Sequence, residues 1–258
     1  MAQITINGKV VKAREDEMLL DVIKKQGIDI PALCAHDAIE PTGNCRLCMV
    51  EITRTEWDGW KKYVTSCLYP VEDGLIVNTN TPELQEIRKT ILDLQLARCP
   101  NSEVIQKMAE EYGVLETSYV ANVEADNCIM CYACTRICEV LGKSAISAVM
   151  RGNKKVIAPP FGEEPADCIG CLACAQICPT NVIPFEDKDG IRTIWKKKFE
   201  LIACKNCGKT ILTRDFADYL IEQRKIPKEY FETCDDCKRM ELAKKMGGLI
   251  TQAEEVAV

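Results

Sequence analysis

Two stretches repeat one cysteine spacing: CIMCYACTRICE from Cys128 and CIGCLACAQICP from Cys168 each set four cysteines apart by two, two and three residues. Packing alone does not call for such a pattern. The spacing suits a [4Fe-4S] cluster in each half, with the fourth Cys of each run reaching across to the other cluster. By that rule Cys128, Cys131, Cys134 and Cys178 hold one [4Fe-4S], and Cys168, Cys171, Cys174 and Cys138 hold the second. Small Ala133, Gly170 and Ala173 leave room for the backbone to approach the inorganic sulfides, while Ile129, Ile137, Ile169 and Ile177 can keep water away.

The whole chain has 17 Cys and one His, His36, in 258 residues. So many thiols exceed what core filling needs, and a single imidazole leaves little scope for His-based catalysis. No apolar run is long enough for a signal peptide or a membrane span, so a cytoplasmic chain without direct membrane insertion is expected. In a reducing compartment cysteines bind metals or clusters more often than they pair in disulfides. A net charge of −6 gives no footprint for nucleic acid or anionic lipid, which leaves other proteins as partners. With 47% apolar and 28% charged residues, one to three small globular domains are expected.

At the N-terminus QITINGKVVK alternates apolar and polar residues around Asn7-Gly8, a hairpin signal, and Met18, Leu19, Val22 and Ile23 follow at helical spacing up to Gly27. Then come Cys34, Cys45, Cys48 and Cys67, separated by ten, two and eighteen residues. Four thiolates in a Pro- and Gly-containing loop suit a [2Fe-2S] cluster, with structural zinc as the alternative. His36 reads as a loop side chain bonded to nearby backbone, against a ligand or proton-transfer role. Thr81-Pro82 opens a second helix, with Leu84, Ile87, Ile91 and Leu94 on its expected apolar face. Near the C-terminus two CxxC pairs, Cys204 with Cys207 and Cys234 with Cys237, flank a helical DFADYLIEQRK. The pairs suit one tetrahedral zinc ion, with a third [4Fe-4S] or a redox dithiol as alternatives.

The order PALCAHDAIEPTGNCRLCMVEI, a helix, and two [4Fe-4S] motifs with Glu139 and Pro179 after them resembles one family over roughly Gln3 to Phe185. It is similar to the N-terminal iron-sulfur region of the large NADH dehydrogenase subunit, also found in iron-only hydrogenases, hydrogenase diaphorases and NAD-dependent formate dehydrogenases. The resemblance implies an α+β chain with a β-grasp [2Fe-2S] ferredoxin module over 1–80, a short helical linker over 81–120, a bacterial-type 2[4Fe-4S] ferredoxin module over 121–190, and a zinc-ribbon-like four-cysteine segment over 191–258. In the family one His and three Cys hold a further [4Fe-4S] in the linker. Here Cys99 matches the first Cys, but Gln95, Ser102 and Met108 stand where the His and the other cysteines would be, so that cluster is expected to be absent and Cys99 to remain as a small buried side chain. No dinucleotide fingerprint, phosphate-binding loop or hydrogenase-type cysteine set accompanies the motifs.

The resemblance implies an electron-transfer subunit without a substrate site of its own, working between a flavin- and NAD-binding subunit and a second redox subunit or ferredoxin in a hetero-oligomer. A freely diffusing carrier and a redox-sensing regulator are the rival readings.

Overall fold

The computed structural model describes residues 1–121 and 127–256. By packing they form two compact units, one within residues 1–142, 146–157 and 173–183, the other within 143–145, 158–172 and 184–256.

The first unit opens with β1 (Ala2–Ile6) and β2 (Lys9–Ala13), joined through Asn7 and Gly8, both at positive φ. This is the primed turn that matches strand twist, and it sets Ile4 opposite Val11 and Ala2 opposite Ala13. The alternation drives Ala2, Ile4, Ile6, Val11 and Ala13 into the core, where α1 (Leu19–Lys25) adds Leu19, Leu20, Val22 and Ile23. After α1 a long loop leads to β3 (Met49–Thr53), β4 (Lys62–Thr65) and β5 (Ile76–Asn78). The sheet order is β2-β1-β5-β3-β4, with β5 parallel to β1, and the β-grasp expectation holds. Buried Glu51 on β3 accepts from Lys61 Nζ at 3.0 Å and Asn78 Nδ2 at 2.9 Å, which compensates the burial of its charge.

Next comes α2 (Pro82–Arg98), capped by the Thr81 hydroxyl, which accepts from Leu84 N at 3.3 Å. Its buried face is not the expected one. Leu84, Arg88, Leu92 and Leu96 face inward at four-residue spacing, whereas Leu94 is exposed. Periodicity skipped an arginine: Arg88 lies buried and donates to Leu47 O at 3.2 Å, Met49 O at 2.8 Å and Thr79 O at 3.0 Å. Arg88→Met should lower stability by about 3 kcal/mol by stripping three buried carbonyls of their donor. An anaerobic thermal melt checks it, and an unchanged midpoint would contradict the account.

The unit continues with α3 (Glu103–Glu111), α4 (Ala133–Val140), and the paired strands β6 (Ser147–Val149) and β7 (Val156–Ala158), followed by the single turn α5 (Ala173–Gln176). In the second unit β8 (Phe185–Lys188), β9 (Ile191–Ile194), β10 (Lys197–Ala203) and β11 (Thr210–Thr213) form an antiparallel meander. Asp189-Gly190, both at positive φ, make its first turn. Then come α6 (Arg214–Arg224), capped by the buried Thr213, and α7 (Asp235–Val256). Among the described residues no helix is long and apolar enough to cross a membrane.

Candidate metal centres

The loop between α1 and β3 carries Cys34, Cys45 and Cys48, and the turn after β4 carries Cys67; all four are buried. They fall into two pairs. Cys34 Sγ lies 3.4 Å from Cys45 Sγ and donates to it, which pulls Cys45 down to about 6 and pushes Cys34 up. The backbone N–H groups of Leu33, Cys34 and Leu47 also lower Cys45. In the same way a hydrogen bond from Cys67 brings Cys48 down to about 7 and raises Cys67. Buried thiols whose anions already have N–H donors waiting are suited to ligate metal as thiolates. His36 accepts from Ala38 N through Nδ1 at 3.1 Å, the local backbone contact expected of it.

The two four-cysteine runs share their backbone as well as their spacing. Met130 and Tyr132 in the first take φ of 53° and 60°, and Gly170 and Leu172, at the same places in the second, take 65° and 64°. Such left-handed residues turn successive N–H groups inward and make the kind of nest that receives anionic sulfur. In the first run burial pushes Cys134 up to about 12, reinforced by the nearby thiols of Cys131, Cys128, Cys174 and Cys178. Burial likewise raises Cys131, with Cys178 and Cys128 adding to it. Cys178 therefore lies within electrostatic reach of Cys131 and Cys134, and Cys174 of Cys134, although forty or more residues separate them in sequence.

Gly170 answers a need beyond the one expected. Since Met130 takes the same φ with a side chain, φ alone does not demand glycine; a Cβ on Gly170 would lie 2.8 Å from Phe199 and 2.9 Å from Thr213. Gly170→Ala should cost about 1–3 kcal/mol by overpacking the second unit. A thermal melt equal to that of the parent would refute that.

Cys99 is wholly buried beside Leu92, Leu96, Ile105 and Ala109, as a small core side chain should be. Around it Gln95 Oε1 and Ser102 Oγ are buried without a hydrogen-bond partner, and Met108 packs against the same cluster.

At the C-terminus the Sγ atoms of Cys204, Cys207, Cys234 and Cys237 all lie within 4.8 Å of one another, Cys207 and Cys234 at 3.6 Å. Cys204 accepts from Cys234 N at 3.2 Å, and with N–H groups of Cys207 and Asn206 this brings it down to about 6. Hydrogen bonds with Cys207 and Cys234 push Cys237 up to about 12. The donor set fits one metal ion.

Spacing rules pointed to the cysteines and missed the cations that serve their loops. Arg98 Nε donates to Cys128 O at 2.7 Å, Lys197 Nζ to Cys168 O at 2.8 Å, and Arg136 Nη2 to both Cys34 O at 2.9 Å and Cys131 O at 3.2 Å. No sequence signal separates these cations from others.

Residues 1–82 match the 2Fe-2S iron-sulfur cluster binding domain family, and residues 164–183 match the 4Fe-4S binding domain family. Among curated relatives, NADP-reducing hydrogenase subunit HndD of Solidesulfovibrio fructosivorans is 31% identical over 196 residues, covering 65% of this chain and 33% of the relative. The mitochondrial NADH-ubiquinone oxidoreductase 78 kDa subunit of Neurospora crassa is 29% identical over 177 residues, 58% of this chain and 23% of that protein. The chain thus spans a third or less of the length of these relatives. A crystal structure of NAD+-reducing [NiFe]-hydrogenase in the H2-reduced state shares the fold at TM-score 0.61 and 23% identity, over 70% of this chain and 85% of that one. With a 2Fe-2S iron-sulfur cluster binding domain at its start and a 4Fe-4S binding domain further on, the chain is similar to a part of NADH-ubiquinone oxidoreductase and NADP-reducing hydrogenase subunits.

Proposed function

We propose that this chain is a cytoplasmic iron-sulfur electron-transfer subunit of a multisubunit NAD(H)-linked oxidoreductase. It passes electrons between a flavin-bearing, NADH-oxidising subunit and a second redox subunit or ferredoxin, and has no substrate site of its own. The observation that carries the reading is the approach of Cys178 to Cys131 and Cys134 from the second run, which supports the crossover that a two-cluster run requires.

In this reading Cys128, Cys131, Cys134 and Cys178 hold one [4Fe-4S]; Cys168, Cys171, Cys174 and Cys138 hold the other by the same rule. The paired thiols give each iron of a [2Fe-2S] two ligands, Cys34 with Cys45 and Cys48 with Cys67, which four separate ligands to one ion would not explain. Cys204, Cys207, Cys234 and Cys237 hold zinc: with Zn–S near 2.3 Å, sulfurs at tetrahedral corners stand about 3.8 Å apart, close to the 3.6 Å between Cys207 and Cys234. A cubane would need each thiolate on a separate iron and the sulfurs spread further. The modules are 1–80, 81–120, 121–190 and 191–258, and only the clusters carry electrons, because zinc is redox-silent.

Anaerobic isolation of the native complex tests the proposal. The chain should elute in a hetero-oligomer with a flavin-containing subunit, and NADH should bring up reduced-cluster EPR signals in that complex. A native profile of monomer alone, or clusters that dithionite reduces and NADH in the complex does not, would overturn it.

A further inference from the structure

Arg136 lies on α4 inside the first four-cysteine run, yet its guanidinium serves two loops. On one side Nη2 donates to Cys34 O at 2.9 Å and Nη1 to Glu40 O; on the other Nη2 donates to Cys131 O at 3.2 Å and Nε to Tyr132 O at 3.3 Å. A second strap runs alongside, Asn44 Nδ2 donating to Cys131 O at 3.3 Å. All these residues belong to the first unit. Beneath the straps Cys34, Cys45 and Cys131 share one apolar cluster with Leu47 and Ile129. The two cysteine loops are therefore packed directly on each other.

Guanidinium groups usually serve carboxylates or phosphates. Here a permanent cation is placed on the carbonyls of two ligand cysteines, where it faces two sites whose thiolate-bound clusters would be anionic. With donors on three nitrogens held in one plane, the guanidinium fixes four carbonyls of the two loops at once, more than the three donors of a single ammonium can reach.

We propose that Arg136 is a positioning residue that fixes the Cys34–Cys45 loop against the Cys128–Cys134 loop, so that an electron passes directly between the [2Fe-2S] and first [4Fe-4S] sites. The proposal rests on the electron-transfer reading above. One electron leaves one site and enters the other; no proton or atom moves.

The test uses the full chain reconstituted anaerobically and fully reduced, with microwave power saturation of the [2Fe-2S] EPR signal as readout. In the parent a neighbouring reduced [4Fe-4S] should speed relaxation of that signal. Arg136→Gln should retain its iron and lose the enhancement. Arg136→Lys, which keeps the charge but not the fork, should keep the midpoint potential of the [2Fe-2S] site near that of the parent while also losing the enhancement. If Arg136→Gln fails to load iron, Arg136→Lys and Asn44→Ala carry the same readout. Iron-loaded variants with the relaxation of the parent would overturn the role of Arg136 alone, whereas a parent without any [2Fe-2S] signal would overturn the cluster reading itself.

Discussion

Cys134→Ser should abolish the first [4Fe-4S] signal in reduced-state EPR and remove about four of about ten irons, because a [4Fe-4S] cubane is held by one thiolate on each iron. The effect should not stop there. Cys134 lies in the first turn of α4 and Cys138 one turn later on the same face, so loss of the first ligand frees the start of the helix that presents a ligand to the second cluster. The second signal should weaken in turn, and Cys174→Ser should give the mirrored result from α5. If both signals survive in both variants, the ligand assignment is rejected.

The metal content should be about ten irons and one zinc per chain, two irons from the [2Fe-2S] and four from each [4Fe-4S]. Elemental analysis of anaerobically purified protein separates the alternatives. A third [4Fe-4S] on Cys204, Cys207, Cys234 and Cys237 gives about fourteen irons and no zinc, and a cluster at Cys99 gives about fourteen with the zinc retained. The close grouping of the four C-terminal sulfurs argues for one ion, and Gln95, Ser102 and Met108 offer Cys99 neither thiolate nor imidazole. Either fourteen-iron result defeats the corresponding step.

What could be read from the sequence was what depends on local chemistry. Asn7-Gly8 specifies its turn through φ, Thr81-Pro82 specifies a helix start, and the short cysteine spacings mark which loops carry thiols, since each signal acts within a few residues. The inward face of α2 was misread because an apolar count gives no weight to Arg88, whose burial becomes favourable only when the carbonyls of Leu47, Met49 and Thr79 arrive from distant segments. The reason for Gly170 was hidden in the same way, since the space it spares belongs to Phe199 on β10 and to Thr213. Arg136 gave no signal for a related reason: an arginine within a cysteine run reads as a surface cation until Cys34 and Glu40 are seen to lie across from it.

The place of β5 in its sheet has a consequence for how the chain leaves the ribosome. This three-residue strand is the last of the five to be synthesised, yet it sits in the middle, with Val77 set between Ile6 on β1 and Ile52 on β3. Before it emerges, β1–β2 and β3–β4 are separate ribbons, each marginal alone and each with an edge open to foreign strands. Closing the sheet joins segments some seventy residues apart in a single late, slow event. A nascent chain stalled ahead of Ile76 would therefore be a sticky intermediate, and Val77→Pro, which breaks the seam, should send newly made protein to aggregates even where every metal-binding thiol is intact.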